Sequence, residues 1–434
     1  MTAEEVRARL EALREAGAHQ RARPAEAVLA SLARVLDVWS DPGSSWRREL
    51  LGKLPEATGF DPATVREGLA RALAGWNGAA LRRLAARELG FEGAAGDSHR
   101  RAFGFETTAV VLAGSIPMPT LQALVAPLAL RSPVLAKPAS RDPITAELVA
   151  RSIAGLDPAL GACVALAPLS RGDHDALAAL LEADCVVVYG GDATVASLAA
   201  RTAPSRRFVA HGHRLSIAAL GAEATRGVAL RTAAAALALD VALWDQLGCL
   251  SPIAIYVVDA DPAAASRVSE ALAAALAEAG ARLPRGRIDA ACAARFANER
   301  AEAELRAAAA SGVVLYADPA SAFCVVQEAD ALPRPAPLHR FVRVHPVADL
   351  RALAKALAPL RRHLAGVALA GFGPRQESVA RELAALGASH VCAPGSLQAP
   401  PLDWESGGRG MLASLARLAW IAPELLPGDA SRAG

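Results

Sequence analysis

Apolar residues recur at every third or fourth position through the first 95 residues of the chain, which is the spacing of amphipathic helices. Clear examples are "AEEVRARLEALREAG" and "PAEAVLASLARVLDVWSDPG". The segment "DPATVREGLARALAGW" starts with an aspartate cap and a proline at the first helical position. We therefore predict an N-terminal helical region over residues 1–105 that packs on the domain after it.

From about residue 107 the pattern changes to short, β-branched apolar runs that alternate with helical segments. "TTAVVLAG", "SPVLAKPAS" and "DCVVVYGG" are typical of buried strands, and "DPITAELVARSIAGL" is typical of a connecting helix. Strands joined by helices form a parallel sheet with both faces covered. The pattern predicts one open α/β domain over residues 107–220, which binds ligands at the carboxyl ends of its strands.

A second alternation of strands and helices follows the long helical segment "ATRGVALRTAAAALALDVALWDQLG". It runs from the strand "SPIAIYVVDA" to "SHVCAPG" and predicts a second α/β domain. The tail "LDWESGGRGMLASLARLAWIAPELL" predicts one more helix. The domain limits that we predict are 106–238, 239–402 and, for the C-terminal helix and tail, 403–434.

Composition and charge exclude several classes of protein. The 434 residues are 53% hydrophobic and 21% charged with a net charge of +2, which argues against a nucleic-acid or membrane-surface protein. No uninterrupted apolar run approaches the ~20 residues of a membrane span. The N-terminus is charged and amphipathic, unlike a signal peptide. We expect a soluble, cytoplasmic protein with no membrane span and no nucleic-acid partner.

The six cysteines lie far apart without a C-x-x-C pair, so neither a zinc knuckle nor a disulfide framework is expected. Five of them fall within predicted strands or helices and are typical of structural residues. Cys249 stands in "DQLGCLSP", where Gly248 and Pro252 indicate a turn between a helix and a strand. A cysteine in such a turn is either another buried filler or a nucleophile.

Two further segments place candidate ligand-binding groups at the ends of strands. In "YGGDATVASL" a strand ends in Gly190 and Gly191 and a helix begins at once, so its free N–H groups can face a phosphate. Asp192 or Thr194 can cap that helix, and an ordinary capped turn is the alternative. Lys137 ends the strand in "LAKPAS", where it either donates to ribose or phosphate oxygens or is a solvated edge lysine.

Polar groups in two other turns are candidates for catalysis. Ser115 in "GSIPMP" can donate to an oxyanion, or it belongs to a plain proline-rich turn. His211 and His213 in "AHGHRLS" share one face of a strand. Without a third nearby ligand they are weak evidence for a metal, so no metal site is predicted. A general base near Cys249 and a solvent-exposed strand end both remain open for them.

The order of these segments resembles the aldehyde dehydrogenase superfamily over about residues 105–410. The similarity is greatest to its acyl-CoA reductase branch, the LuxC-type fatty acid reductases of bacterial luminescence, and is detailed at "KPASRDP", "YGG" and "DQLGCLSP". The resemblance implies two α/β domains, a Rossmann-like cofactor domain and a catalytic domain, beside the N-terminal helical region. It also implies a homo-oligomer.

The resemblance implies a reaction through a covalent intermediate. Cys249 would take the acyl group from acyl-CoA, an acyl-carrier thioester or an acyl-adenylate, and hydride from a nicotinamide cofactor would release an aldehyde. The Cys249 N–H and Ser115 would be the oxyanion donors. An oxidising NAD(P)-dependent aldehyde dehydrogenase and a non-catalytic scaffold that retains the fold are the alternatives.

The resemblance also assigns a cofactor site. Lys137 matches the lysine at the adenine-side ribose, and Gly190, Gly191, Asp192 and Thr194 match the turn over the pyrophosphate. Ser140 replaces the glutamate of many NAD-preferring relatives, and Arg141 follows it. A 2′-phosphate would be tolerated there, so we predict NADPH over NADH.

Three departures from the superfamily pattern bear on catalysis. Ser115 stands where relatives have asparagine, and His211 stands where oxidising members have a general-base glutamate. The lack of that glutamate fits a reductase, whose acyl-enzyme meets hydride and not water. The segment "RVHPV" replaces Glu-x-Phe-Gly-Pro, and we expect its His345 to be a plain strand-end histidine.

Overall fold

Five helices occupy the first 89 residues of the chain, as the apolar spacing predicts. The computed structural model describes residues 1–90, 100–170, 172–258, 261–309, 312–318, 320, 322–422 and 425. The N-terminal helices are α1 Ala3–Ala22, α2 Ala25–Ser40, α3 Ser45–Thr58, α4 Pro62–Leu73 and α5 Gly78–Leu89. Asp61 accepts the Ala63 N–H and Pro62 opens α4, which confirms the predicted cap. A short strand, β1 (Arg100–Phe103), follows.

The first large sheet is five-stranded and parallel, in the order β4-β3-β2-β5-β6. Its strands are β2 Thr108–Val111, β3 Val134–Lys137, β4 Val164–Leu166, β5 Cys185–Tyr189 and β6 Arg207–His211. The connecting helices are α6 Pro117–Ala129, α7 Pro143–Leu156, α8 Pro158–Gly161, α9 His174–Leu180 and α10 Asp192–Arg201. Along β2, Val110 joins one buried cluster and Ala109 and Val111 join another, so both faces are covered as predicted.

The second large sheet has seven strands in the order β13-β12-β7-β8-β11-β10-β9. Its strands are β7 Leu215–Leu220, β8 Pro252–Val258, β9 Val314–Ala317, β10 Cys324–Gln327, β11 Phe341–Val347, β12 Leu364–Ala370 and β13 His390–Cys392. They run parallel except β9, which is antiparallel to β10. The helices of this part are α11 Gly227–Ala242, α12 Ala264–Arg282, α13 Ala290–Ala308, α14 Leu350–Leu357 and α15 Gln376–Ala385.

Strand β7 belongs to the second sheet, where it pairs with β8 and β12. The α/β domain predicted over residues 107–220 therefore includes a strand that belongs to the second sheet. Only residues 212–214 separate β6 from β7. A parallel neighbour in the same sheet needs a crossover of about a dozen residues or more, so β7 cannot lie parallel beside β6, and the chain crosses to the second sheet instead.

The C-terminal tail ends in a strand within the described residues, so the predicted helix there is wrong. Ala413–Leu415 forms a single 3₁₀ turn, and β14 (Arg417–Trp420) pairs antiparallel with β1. The partner strand is some 300 residues away in sequence, and this pairing overrides the local helical spacing of "LASLARLAW". Residues 426–434 lie outside the described residues.

The alanine-rich segment Gly227–Gln246 is long and apolar enough to cross a membrane by length and composition, with a mean hydropathy of 1.5. Helix α11 forms most of it and packs against α12. Leu237, Ala238 and Val241 are fully buried in the largest core cluster. This burial is typical of a core helix in an α/β protein.

The N-terminal helices pack directly on the segment that precedes Cys249. Gly68 in α4 lies against the buried Trp244, so a Cβ added there would meet Trp244 Cζ2 at 2.3 Å. The Phe60 ring meets the same indole edge to face, with 5.4 Å between ring centroids. The helical region therefore supports the turn on which the candidate nucleophile lies.

We expect Gly68→Ala to lower the free energy of unfolding by about 1–2 kcal/mol, because overpacking against Trp244 outweighs the helix propensity of alanine. Gly52→Ala in α3 is the matched control. A Cβ at Gly52 meets nothing within 4 Å, so this variant should gain about 0.5–1 kcal/mol. Urea denaturation followed by circular dichroism measures both, and equal effects of the two variants would contradict the packing.

Candidate active site

The turn that carries Cys249 begins with three residues in the left-handed region. Trp244, Asp245 and Gln246 have φ values of 55°, 49° and 63°. A non-glycine residue adopts this conformation only where surrounding contacts enforce it. A second left-handed run with φ of 67°, 57° and 71° covers residues 338–340, directly before β11. The side chains of the first run hold the second one in place.

Asp245 and Arg340 form a buried ion pair between the two left-handed runs. The Arg340 Nε and Nη2 atoms donate to Asp245 Oδ1 at 3.0 and 2.6 Å, and both side chains are almost fully excluded from water. The Gly286 N–H donates to Asp245 Oδ2 at 3.0 Å. Arg340 Nη1 donates to the Leu283 carbonyl at 2.8 Å. Each charge is thus paired and further hydrogen-bonded, as buried charges require.

Gln246 ties the same turn to two strands of the second sheet. Its amide nitrogen donates to the carbonyls of Pro252 and Phe341, each at 2.9 Å. Its amide oxygen accepts the Phe341 N–H at 2.8 Å. The Asp-Gln pair of "DQLGC" therefore fixes the backbone ahead of the cysteine. Neither Asp245 nor Gln246 was predicted from the sequence as a structural support of the site, although two polar side chains at the end of an apolar helix indicate such a role.

Cys249 follows this turn, and its carbonyl accepts the Ser216 hydroxyl at 2.8 Å. Cys249 is an exposed residue in the wall of the cleft, and the protein atoms around its thiol displace much of that group's hydration. This burial raises the pKa of the Cys249 thiol above its ordinary value, while Arg214 and the N–H groups of Cys249 and Leu250 act in the opposite direction. The thiol is therefore accessible but only weakly ionised at neutral pH.

The other five cysteines are less accessible than Cys249. Cys163, Cys185, Cys292 and Cys324 are buried, and Cys392 is half-buried. Burial raises the pKa of the Cys163 thiol to about 11 and that of the Cys185, Cys324 and Cys392 thiols to about 12. Their surroundings are those of structural cysteines.

A cleft of about 850 Å³ opens beside Cys249 and reaches the carboxyl ends of β5 and β6. Gly190, Gly191 and His211 line it on the side of the first sheet, and Cys249 and Leu338 line it on the side of the second. The cleft thus brings the predicted glycine turn and the predicted nucleophile to one cavity. Large clefts at strand ends are the usual ligand sites of α/β folds.

The amino end of α10 faces this cleft without a side-chain cap. Gly191 is the N-cap residue and no side chain accepts from the first turn, so the prediction that Asp192 or Thr194 caps the helix is wrong. Asp192 Oδ1 instead accepts the His213 N–H at 2.8 Å. A Cβ added to Gly191 would meet nothing within 4 Å. Open space and free N–H groups fit a bound phosphate.

Lys137, Ser140 and Arg141 lie at the carboxyl end of β3, beyond the described residues that line the cleft. Lys137 is half-buried and Ser140 is exposed. Arg141 lies 3.3 Å from Asp289 in an exposed ion pair. These residues follow β3 and the glycine turn follows β5, two strands of one sheet that are separated by β2, and they do not form one closed pocket.

The histidines have separate surroundings. His211 lines the cleft and stacks on Tyr189, with 4.4 Å between ring centroids. Burial, and then Arg409 and Arg214, lower the pKa of His211 to about 4, so its imidazole is neutral near pH 7. His213 is exposed, and its ring lies 5.8 Å from that of His363. Throughout the described ranges, no three His, Cys, Asp or Glu side chains are arranged to hold a metal ion.

His345 is not at a strand end, contrary to the prediction. It lies inside β11, where its ring stacks on that of Tyr256 and is fully buried. Its Nδ1 lies 2.8 Å from the Asp330 carbonyl oxygen. Burial lowers the pKa of His345, as expected for a neutral core histidine.

A second, smaller cavity of about 210 Å³ meets the cleft at Cys249. Ser115 lines it and is buried, so the predicted oxyanion donor and the cysteine share one pocket. The side chains that line only this pocket are mostly apolar, and Trp76 among them comes from the N-terminal region. The residues common to both cavities are Ala113, Gly114, Pro119, Gln122, Leu247, Gly248, Cys249 and Trp404.

Gln398 is a site residue that sequence reasoning missed, because only the fold brings it to the cysteine. Its amide nitrogen donates to Ser251 Oγ at 3.0 Å, and its Oε1 is 3.0 Å from where a Cβ of Gly248 would lie. Buried Asp240 holds this loop by accepting the Gly395 and Leu397 N–H groups at 2.6 and 3.1 Å. Burial raises the pKa of Asp240 to about 7.

Comparison with known proteins gives a family and a fold. The family model of acyl-CoA reductase (LuxC) matches residues 21–418. No curated protein matches the sequence. Among solved structures, aldehyde dehydrogenase 21 from Physcomitrella patens, in complex with succinate, is 13% identical with a TM-score of 0.73, covering 96% of this chain and 90% of that one. An NAD-dependent benzaldehyde dehydrogenase from Corynebacterium glutamicum is 15% identical with a TM-score of 0.73, covering 97% and 90%. The predicted aldehyde-dehydrogenase-like α/β fold is confirmed.

We expect Asp245→Ala to lower the free energy of unfolding by about 3–5 kcal/mol, because it leaves the Arg340 charge buried without its partner. The double variant Asp245→Ala with Arg340→Met should lose less than the sum of the two single variants. Chemical denaturation of all four proteins measures this. Additive losses would contradict a direct ion pair between the two runs.

Proposed function

The chain belongs to the acyl-CoA reductase (LuxC) family, which makes it an aldehyde-related oxidoreductase, and we propose that it reduces an acyl-CoA to an aldehyde with NADPH through a thioester on Cys249. One observation carries this proposal. Cys249 lies where the large cleft at the strand ends meets a small, mostly apolar pocket. A nucleophile in that position can take an acyl chain from one side and expose its carbonyl carbon to the other.

The residues at the strand ends of the first sheet fit a dinucleotide. The uncapped start of α10 and the open space at Gly191 would hold its pyrophosphate, and Lys137 would donate to a ribose. Asp192 and Thr194 lie in the first turn of that helix. When bound, the nicotinamide cofactor supplies the hydride that reduces the enzyme-bound thioester to the aldehyde.

Acyl transfer uses the Cys249 thiol. The Cys249 sulfur bonds to the acyl carbon, the bond from that carbon to the sulfur of coenzyme A breaks, and the departing thiolate takes the thiol proton. The carbonyl oxygen becomes an oxyanion during this step. The buried Ser115 hydroxyl and the Cys249 N–H are the donors that we assign to it, since both belong to the smaller pocket.

His211 supports reduction over hydrolysis. A general base works best when its pKa is near the working pH. The pKa of His211 is lowered to about 4, so its imidazole is a weak base toward water in the cleft. The acyl-enzyme would therefore persist until it is reduced, which disfavours the oxidising alternative.

Arg141 and Ser140 are the basis for proposing NADPH over NADH. The Arg141–Asp289 ion pair is exposed and contributes little free energy, so the Arg141 side chain can turn to a 2′-phosphate with little loss of stability. Ser140 is exposed beside it and places no negative charge there.

We also propose a cytoplasmic location, because all six cysteines are unpaired.

We expect the purified protein to oxidise NADPH with acyl-CoA and to release free coenzyme A and an aldehyde. Absorbance of the reduced nicotinamide and mass spectrometry of the products measure this. Cys249→Ser should lose at least about a thousandfold in kcat, since the thioester cannot form. Cys163→Ser, a buried cysteine, is the matched control and should retain activity.

Other outcomes of this assay separate the alternatives. NADP⁺ reduction with aldehyde and water, at a rate above that of NADPH oxidation with acyl-CoA, would favour an oxidising aldehyde dehydrogenase. Inactivity in both directions, with Cys249 unmodified by acyl-CoA, would favour a non-catalytic protein that retains the fold.

We expect Ser140→Glu to lower kcat/KM for NADPH about tenfold to hundredfold while leaving kcat/KM for NADH nearly unchanged, because a carboxylate repels the 2′-phosphate. Ser205→Glu is the matched control. Ser205 is exposed and precedes the amino end of β6, whereas Ser140 follows the carboxyl end of β3. An equal loss with both cofactors would contradict the assignment of the ribose end.

A further inference from the structure

The pocket beyond Cys249 has a polar end and an apolar end. Ser115, Gln122 and Gln398 are its polar lining residues besides Cys249. Gln398 lies against Gly248, and Gln122 also lines the cleft, so both are on the cysteine side. The remaining wall is built from glycine, alanine, proline, isoleucine, leucine, methionine and tryptophan. A thioester carbonyl fits the first end and a hydrocarbon chain fits the second.

Trp76 forms a fixed part of the apolar end. It lines the small pocket and not the cleft, and its side chain is only 4% exposed. Its indole N–H donates to the Pro400 carbonyl at 3.0 Å. Trp404, at the junction of the cavities, donates its own N–H to the Ser389 carbonyl at 2.9 Å. With both N–H groups satisfied by backbone, the two indoles offer the pocket only ring carbons.

The volume of the pocket limits the acyl group that it can take. An apolar cavity of about 150 Å³ binds benzene, which has six carbons. Scaled by volume, a pocket of about 210 Å³ accommodates an acyl group of roughly eight carbons. A long fatty acyl chain would have to displace Trp76 or leave part of its length outside the pocket.

We infer that the enzyme selects medium-chain acyl thioesters of roughly eight carbons, and that Trp76 is the residue that sets the upper limit of chain length. This inference rests on the proposed acylation of Cys249. Each methylene buried in the pocket adds about 0.8 kcal/mol, which corresponds to about a fourfold gain in rate constant at subsaturating donor. Beyond that length the rate constant should fall, because further carbons have to displace Trp76, which the Pro400 carbonyl holds in place.

The test measures the rate of Cys249 acylation in the absence of any cofactor, with intact-protein mass spectrometry as the readout. Acetyl-, hexanoyl-, octanoyl- and tetradecanoyl-CoA are the donors, each below saturation and below its micelle-forming concentration. We expect the second-order rate constant to rise from acetyl to octanoyl and to fall for tetradecanoyl. A tetradecanoyl rate equal to or above the octanoyl rate would overturn the inference, whereas no acylation by any donor would overturn the proposed function itself.

Variants test the role of Trp76. Trp76→Ala should raise the ratio of the tetradecanoyl rate to the octanoyl rate by at least about tenfold, because about two more methylenes are buried at about a fourfold gain each. Trp39→Ala is the matched control, since Trp39 is a buried tryptophan of α2 that lines none of the pockets described here. Met118→Ala, on a second wall, should shift the ratio in the same direction if Trp76→Ala does not fold. An unchanged ratio in both pocket variants would contradict the assignment.

Discussion

The buried ion pair between Asp245 and Arg340 is the contact on which the site depends. It joins two runs of left-handed residues, each of which costs about 1–3 kcal/mol per residue and persists only under tight constraint. One run leads to Cys249. The other follows residues 333–336, which form a wall of the cleft, and leads into β11. Cys249 and the cleft wall are therefore positioned by one interaction.

The electrostatics of the site fit the proposed acyl-enzyme. The Cys249 thiol has a raised pKa, so little of it is thiolate at neutral pH, but the thiolate that forms is a strong nucleophile. His211 has a lowered pKa and is a poor base toward water. In the proposed reaction, these shifts would permit transfer of an acyl group to sulfur and slow its loss to water. Both arise first from the partial loss of hydration at the cleft wall.

Much of the fold follows from local patterns. The apolar spacing of "AEEVRARLEALREAG" and the β-branched run "DCVVVYGG" both define their elements, because helix and strand periods differ. The tail strand β14 could not be predicted in this way, since its conformation depends on pairing with β1 across the whole chain. The short connection after His211 indicates that β7 is not a parallel neighbour of β6. This follows from the length that a parallel crossover needs and not from the strand propensity of any residue.

Some residues of the candidate site could be predicted from the sequence, and others could not. Cys249, Ser115, Gly190 and Gly191 stand at turns after recognisable elements, and the fold brings all four to the two connected cavities. Gln398 and Asp240 have no local signal, because their importance comes from a loop that returns to the cysteine from about 150 residues away. The uncapped start of α10 could not be predicted for a related reason. Asp192 is a common N-cap residue, but its carboxylate accepts the His213 N–H, which lies between β6 and β7, instead of an N–H of the helix.

The central claim is that Cys249 is the accessible nucleophile at the junction of the two cavities. The alkylation rate of each cysteine by iodoacetamide in the native protein, mapped by peptide mass spectrometry with and without prior acyl-CoA, tests it most directly. We predict that Cys249 reacts far faster than Cys163, that its rate increases further as the pH is raised, and that acyl-CoA blocks this reaction alone. Equal labelling of Cys249 and Cys163, or labelling of Cys249 that acyl-CoA does not change, would contradict it.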